Sequence, residues 1–164
     1  MIKIKKLILV IFVLAIFLFP KNEEFIRIRV LANSNSEYDQ QIKTEVVDIV
    51  TTGFNEILSD EKDIDNARAK ISANLDKIET KVDDFLTTNN VQYDYKVKYG
   101  LNYFPPKEFK GISYDEGYYE SVLITVGEGA GDNWWCILFP SICLTEENGN
   151  YQSIIKNIYN KIFY

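Results

Sequence analysis

Histidine is absent from the 164-residue chain, which also holds only two cysteines, one methionine and four prolines. Without histidine, Ser-His-Asp and Cys-His nucleophilic machinery is excluded. Two cysteines alone fall short of a tetrahedral zinc set, so neither a metal nor a cofactor is expected. Positive charge is scarce as well. The chain carries 18 basic and 24 acidic residues, and setting aside Lys3, Lys5 and Lys6 leaves 15 against 24, a net charge of −9. A domain this acidic is a poor partner for nucleic acid or an anionic bilayer surface. Its charges interleave rather than forming blocks, which is the pattern of a solvated surface. Internal repeats, linkers and low-complexity tracts are also missing, so the chain after residue 20 reads as one domain around one core.

A single uninterrupted apolar run is present, Leu7 to Phe19, preceded by Lys3, Lys5 and Lys6 and closed by Pro20. As a helix at about 1.5 Å per residue it reaches roughly 20 Å, short of the roughly 30 Å of a bilayer core. Residues 1–20 therefore read as a secretory signal. No small-x-small cleavage pattern precedes Lys21, so a short retained anchor with cytoplasmic lysines is the alternative. Either way the rest is expected outside the cytosol, as an exported domain over 21–144 and a tail over 145–164, with membrane contact only through the N-terminal segment.

Both cysteines and both tryptophans fall within Gly127–Cys143, together with a Gly-x-Gly-x-Gly loop read as mobile. In an oxidising compartment Cys136 and Cys143 suit a disulfide. Closing so short a loop is worth at most about 2.5 kcal/mol. The alternative is a pair of buried thiols among Ile137, Leu138, Phe139 and Ile142. A fully buried tryptophan contributes roughly 4–6 kcal/mol of apolar burial, so Trp134 and Trp135 are either core fasteners or anchors for a partner.

Apolar periodicity predicts the elements. Ile26, Ile28 and Val30 alternate with Arg27 and Arg29 as a strand over 25–31. Ala32–Ser36 is a polar turn, and Ser36 with Asp39 suits a helix N-cap. A helix follows over 37–58, which Gly53 is expected to bend or loosen. A second helix runs from Ile64 to about Leu86, and Asn89-Asn90 is a turn. Further strands are predicted over 91–99, ended by Gly100, over 101–104 and over 118–126. A short amphipathic helix carries Ile154, Ile155, Ile158, Ile162 and Phe163. This order gives an α+β fold: a two-layer domain, mostly antiparallel sheet with two long helices packed on one face, plus a short C-terminal helix.

Several groups are candidates for chemistry. Gly127, Gly129 and Gly131 follow a strand as nucleotide loops do, yet no Lys-Ser or Lys-Thr and no helix follow them. Glu120 with Glu128 or Asp132 offers carboxylate pairs of the kind a secreted polymer hydrolase uses. Arg27 and Arg29 either clamp a carboxylate or pair with the protein's own acids across the sheet.

Two long motifs carry a resemblance. Phe25 through Ser36, with Asp39, Gln40 and Lys43, is similar to the "RLRVLANSDS…DQ..LK" opening of the stage II sporulation protein R family. Val126-Gly127-Glu128-Gly129 through Asn133-Trp134-Trp135-Cys136 to Cys143 resembles its "GEGxGxNWWCxLFPPLC" signature, with Ser141 in place of the second proline, and Tyr103-Phe104-Pro105 also fits. The resemblance implies a non-enzymatic signal in endospore formation. It would be secreted into the space between forespore and mother-cell membranes. There it would activate a membrane-embedded aspartic protease of the mother cell, which processes the pro-form of sigma-E. The expected contact surface comprises Gly127, Glu128, Gly129, Asn133, Trp134, Trp135, Arg27 and Arg29, with an exposed tryptophan as its anchor.

Overall fold

The computed structural model describes residues 25–109 and 112–140. The expected N-terminal signal or anchor, Cys143 and the C-terminal helix lie outside the described residues.

Eight elements follow one another. They are β1 (Ile26–Leu31), α1 (Glu37–Leu58), α2 (Ile64–Thr88), β2 (Tyr95–Phe104), β3 (Lys107–Phe109), β4 (Ile112–Tyr114), β5 (Gly117–Val126) and β6 (Asn133–Phe139). Local chemistry sets the helix starts. Ser36 Oγ accepts from Asp39 N at 3.1 Å at the head of α1, and Asp63 Oδ1 accepts from Asn66 N at 2.9 Å at the head of α2. Each satisfies an amide with no intrahelical partner. After α2, Asn90 turns the chain with φ of 54°, a left-handed conformation that asparagine tolerates.

The main sheet has the order β2-β5-β1-β6. β2–β5 and β1–β6 are antiparallel, whereas β1 and β5 pair in parallel, Ile28 opposite Val122 and Val30 opposite Ile124. The sheet is thus mixed, predominantly antiparallel, and the class is α+β. A parallel pair needs a long crossover, and here the connection between β1 and β5 includes both helices, β2 and the β3–β4 hairpin. Residues facing the helices form the core: Ile26, Ile28, Val30, Val122, Ile124 and Leu138 from the sheet meet Val46, Val50, Phe54, Ile71, Ile78 and Val82.

Three expectations change. The predicted strand break at Gly100 is absent: β2 continues through it to Phe104 in unbroken register with β5, because Gly100 alone adopts the φ of 147° needed there. Val91–Asp94 stays outside the strand, tied instead to the helix end by Val91 N donating to Leu86 O at 2.9 Å. Gly53, expected to bend or loosen α1, lies inside one continuous helix over Glu37–Leu58. It is buried where α2 crosses, and a Cβ there would lie 2.6 Å from Ile78 Cδ1, so its role is close helix approach.

Candidate functional site

The two sequence motifs meet in space. In the Ala32–Ser36 turn, Ser34 Oγ and Asn33 Nδ2 both donate to Asp39 Oδ2, the latter at 3.0 Å. Asp39 is buried, and these bonds, Ser34's first and then Asn33's, hold its carboxyl below the usual carboxylate range. The same turn receives the Gly-rich loop. Glu128 N donates to Asn33 Oδ1 at 3.0 Å, Ala130 N to Asn33 O at 3.2 Å and Gly131 N to Ala32 O at 3.0 Å. Asp132 N donates to Asn35 Oδ1. Lys43, on α1, closes the junction by donating to Asp132 O at 3.2 Å.

The expectation of a mobile loop is therefore replaced by a clasped one. Its glycines are there for the approach. Gly127 has φ of 59°, and a Cβ on it would stand 2.2 Å from Asn33 Oδ1; one on Gly131 would stand 2.2 Å from Ser34 O. The Glu128 and Asp132 amides point into this turn, and both residues remain exposed at the rim.

Period-two alternation then divides the motif that follows. Trp134 stands opposite Val30 and packs against the core, whereas Trp135 stands opposite Arg29 on the face turned away from α1 and α2. Both rings are half-buried. Asn133 begins β6 opposite Leu31, with its Oδ1 buried and lacking a hydrogen-bond partner. Cys136 is buried on the core side and is not a free thiol; its expected partner, Cys143, lies outside the described residues.

On the face turned away from α1 and α2, arginines and aromatic rings interleave. The Arg27 guanidinium lies 3.4 Å from the Tyr119 ring centroid, and that of Arg29 lies 5.3 Å from the centroid of Phe104. Phe104 meets Trp135 edge-on at 5.9 Å, and Tyr114 meets Trp135 edge-on at 4.8 Å. Lys107 Nζ sits 5.4 Å from the Trp135 centroid, so β3 and β4 lean over this end of the sheet. Arg29 Nη1 donates to Tyr103 O at 3.0 Å, while its Nε is buried with no hydrogen-bond partner. Burial lowers the pKa of Arg29, and that of Lys107 is lowered by burial first and then by the charges of Arg29 and Lys43. Arg29 thus makes no ion pair with an acid among the described residues. Lys107, Phe104, Tyr114 and Tyr119 were not singled out as site residues from sequence: strand alternation assigns their faces only once the β2–β5–β1 register is known.

The candidate acids do not converge. Glu120 accepts a forked pair of bonds from Arg68, Nε at 3.0 Å and Nη2 at 2.8 Å, and a third from the Tyr99 hydroxyl at 2.6 Å. Burial alone pushes its carboxyl up, but the bonds from Arg68 and Tyr99 outweigh that and hold it low. A general acid needs the opposite shift. Glu120 also precedes the end of β5 by six residues, about 20 Å at strand rise, so it stands far from Glu128 and Asp132. Among the described residues no cluster of acids, cysteines or histidines is arranged to hold a metal, and no helix is long and apolar enough to cross a membrane.

No solved structure shows significant similarity to the chain. The profile of the stage II sporulation protein R family matches residues 22–149. Stage II sporulation protein R of Bacillus subtilis (strain 168) is 35% identical over 124 residues. That alignment covers 76% of this chain and 55% of the relative, so the chain spans about half the length of the curated protein it matches. The matched segment takes in both motifs and every described element, and the chain belongs to the stage II sporulation protein R family, which gives it a role in sporulation.

Proposed function

We propose that the protein is a secreted protein ligand. It is exported through its N-terminal segment into the space between forespore and mother cell. There it activates a membrane-embedded aspartic protease of the mother cell that processes the pro-form of sigma-E. Cys136 and Cys143 pair as a disulfide in that compartment. The observation that carries this reading is the clasp. Both family motifs are spent on holding one surface in shape, Asn33 and Asn35 gripping the Gly127–Gly131 loop beside Trp135, and Glu120 stands far from the Glu128 and Asp132 carboxylates at its rim. A rigid, pre-shaped surface is what recognition uses, since ordering it in advance lowers the entropic cost of binding.

A ligand activates a protease by binding its active state better than its resting one. Moving that equilibrium from 1:99 to 99:1 takes about 5.5 kcal/mol of differential affinity, which a few well-desolvated aromatic and arginine contacts supply. The test is co-expression of the full chain with the protease and the pro-sigma factor in a non-sporulating host. Cleavage that depends on the chain is the expected result, and its absence with well-exported protein overturns the proposal. Amide replacement of Glu120, Glu128 and Asp132 separates the polymer-hydrolase alternative, which requires one of these acids for activity.

A further inference from the structure

The sheet face turned away from α1 and α2 holds two cations that form no ion pair among the described residues. Arg29 is half-buried. Among the described residues it donates to the Tyr103 carbonyl and lies over the Phe104 ring, and its Nε is buried with no acceptor. Lys107 has the ring of Trp135 beside it and, among the described residues, neither a hydrogen bond nor an ion pair. The two are neighbours through their rings, since Arg29 covers Phe104, Lys107 covers Trp135, and those rings touch at 5.9 Å. Desolvated cations without an anion are costly, and no acid among the described residues forms an ion pair with either of these two. Arg68 of the same protein shows the contrast, with Glu120 and Asp65 both within 2.8 Å of it.

We propose that Arg29 and Lys107, over the floor formed by Phe104 and Trp135, receive a carboxylate-bearing segment of a partner protein. The identification of the partner as a protein rests on the signalling reading above; the requirement for an anion does not. Charge complementarity favours a segment with a few acids on an apolar stem. Arg29 is a cation in a half-buried place, where a charged hydrogen bond is strengthened. Trp135 and Tyr114 offer apolar contact beside it. A polyanion or an anionic bilayer is repelled over longer range by the acidic remainder of the domain. Among the described residues Asp132 is an acid whose charge acts on Lys107, and it lies at the edge of the site. The site continues into the motif clasp, because Asp132 is held there by Asn35 and Lys43.

The experiment titrates the purified full chain in detergent micelles with a short dansyl-labelled peptide alternating glutamate and leucine. Its counterpart with glutamine in place of glutamate and vesicles of phosphatidylglycerol serve as the other two arms. Saturable binding of the acidic peptide with a change in tryptophan emission is expected, roughly tenfold weaker for the glutamine peptide, as loss of a charged hydrogen bond implies. Arg29→Gln and Lys107→Gln each weaken it by a similar factor, while Lys96→Gln and Lys98→Gln, exposed on the same face near the other edge, leave it unchanged. Urea midpoints verify that each variant is folded, and Lys107, on the outlying hairpin, keeps the test alive if Arg29→Gln is unstable. Absence of saturable binding, equal binding of the glutamine peptide, preference for the vesicles, or undiminished binding by both variants overturns the inference. Pro-sigma processing in the co-expression host distinguishes the two proposals. Processing by the wild type that survives both substitutions sinks this site and leaves the signalling reading standing. Carboxylate-selective binding without processing does the reverse.

Discussion

On its helix side the sheet presents Ile28, Val30, Val122 and Ile124, all with no exposed surface, to two helices that bury Val46, Val50, Phe54 and Ile71 equally completely. On its other side the same strands present Arg27, Arg29, Phe104, Tyr119 and Trp135, covered among the described residues by the β3–β4 hairpin. One face is closed and apolar. The other is half-open, aromatic and cationic. Strand alternation makes both from one set of residues, and β6 shows it most plainly, giving Trp134 to the first face and Trp135 to the second. Stability is therefore concentrated on one side of the sheet, and the features suited to recognition on the other.

The sharpest way to break this contrast is to cut into the closed face. Phe54→Ala empties a fully buried site between the helices and the sheet, and is expected to cost about 3–5 kcal/mol. Urea unfolding reads this directly. An equally large loss from Trp135→Ala would mean that the open face is a second core, and the division would fall.

Next in size is the clasp between the faces. Gly131→Ala drives a Cβ to 2.2 Å from the Ser34 carbonyl oxygen, where backbone on both sides must shift, at about 1–3 kcal/mol. Hydrogen exchange of the Ala130 and Gly131 amides, which donate to Asn33 and Ala32, should quicken in this variant more than exchange in α2. Uniform quickening would show that the clasp is no separate unit.

How much of this was legible in the chain follows the range of the interactions. β1, with its buried and arginine-bearing faces, α1 over Glu37–Leu58, its Ser36 cap and most of α2 are local matters of period and capping, and the residues announce them. The glycine loop was read from composition as mobile. Its hydrogen-bond partners lie about a hundred positions earlier, at Asn33 and Asn35, and nothing local reveals them. The parallel β1–β5 pairing was hidden for the same reason, and with it the assembly of Phe104, Tyr119 and Trp135 around the two arginines. The hairpin that brings Lys107 to Trp135 has only three residues per strand, too few for alternation to show.

The two faces also use arginine differently, and a pair of substitutions exposes it at smaller scale. Arg68 binds Glu120 and Asp65 on the helix side. Arg68→Met removes a partly exposed network and should cost about 1 kcal/mol. Arg29→Met keeps most of the packing and removes a desolvated charge that has no anion among the described residues, so stability should change by less than about 0.5 kcal/mol. Equal losses in urea midpoints would show that Arg29 is a structural group like Arg68.

Acid provides the smallest and most selective probe. Glu61 accepts from Lys70 at 2.8 Å and from the Lys62 and Asp63 amides, and these bonds, Lys70's first, lower its pKa to about 2. The folded value lies below the unfolded one, near 4.3. Its contribution is therefore complete above about pH 5 and is lost as pH falls through that window toward 2. Glu61→Gln should flatten part of the fall in thermal midpoint between pH 5 and 2. Asp39, also held low, should leave a residual slope over a similar range. The helix-side loop would then respond to acid through Glu61, with Arg29 and Lys107 of the open face contributing nothing to the slope. A slope unchanged in Glu61→Gln and abolished in Arg29→Met would instead place the acid-sensitive pairing on the open face, and would require Arg29 to have an anionic partner after all.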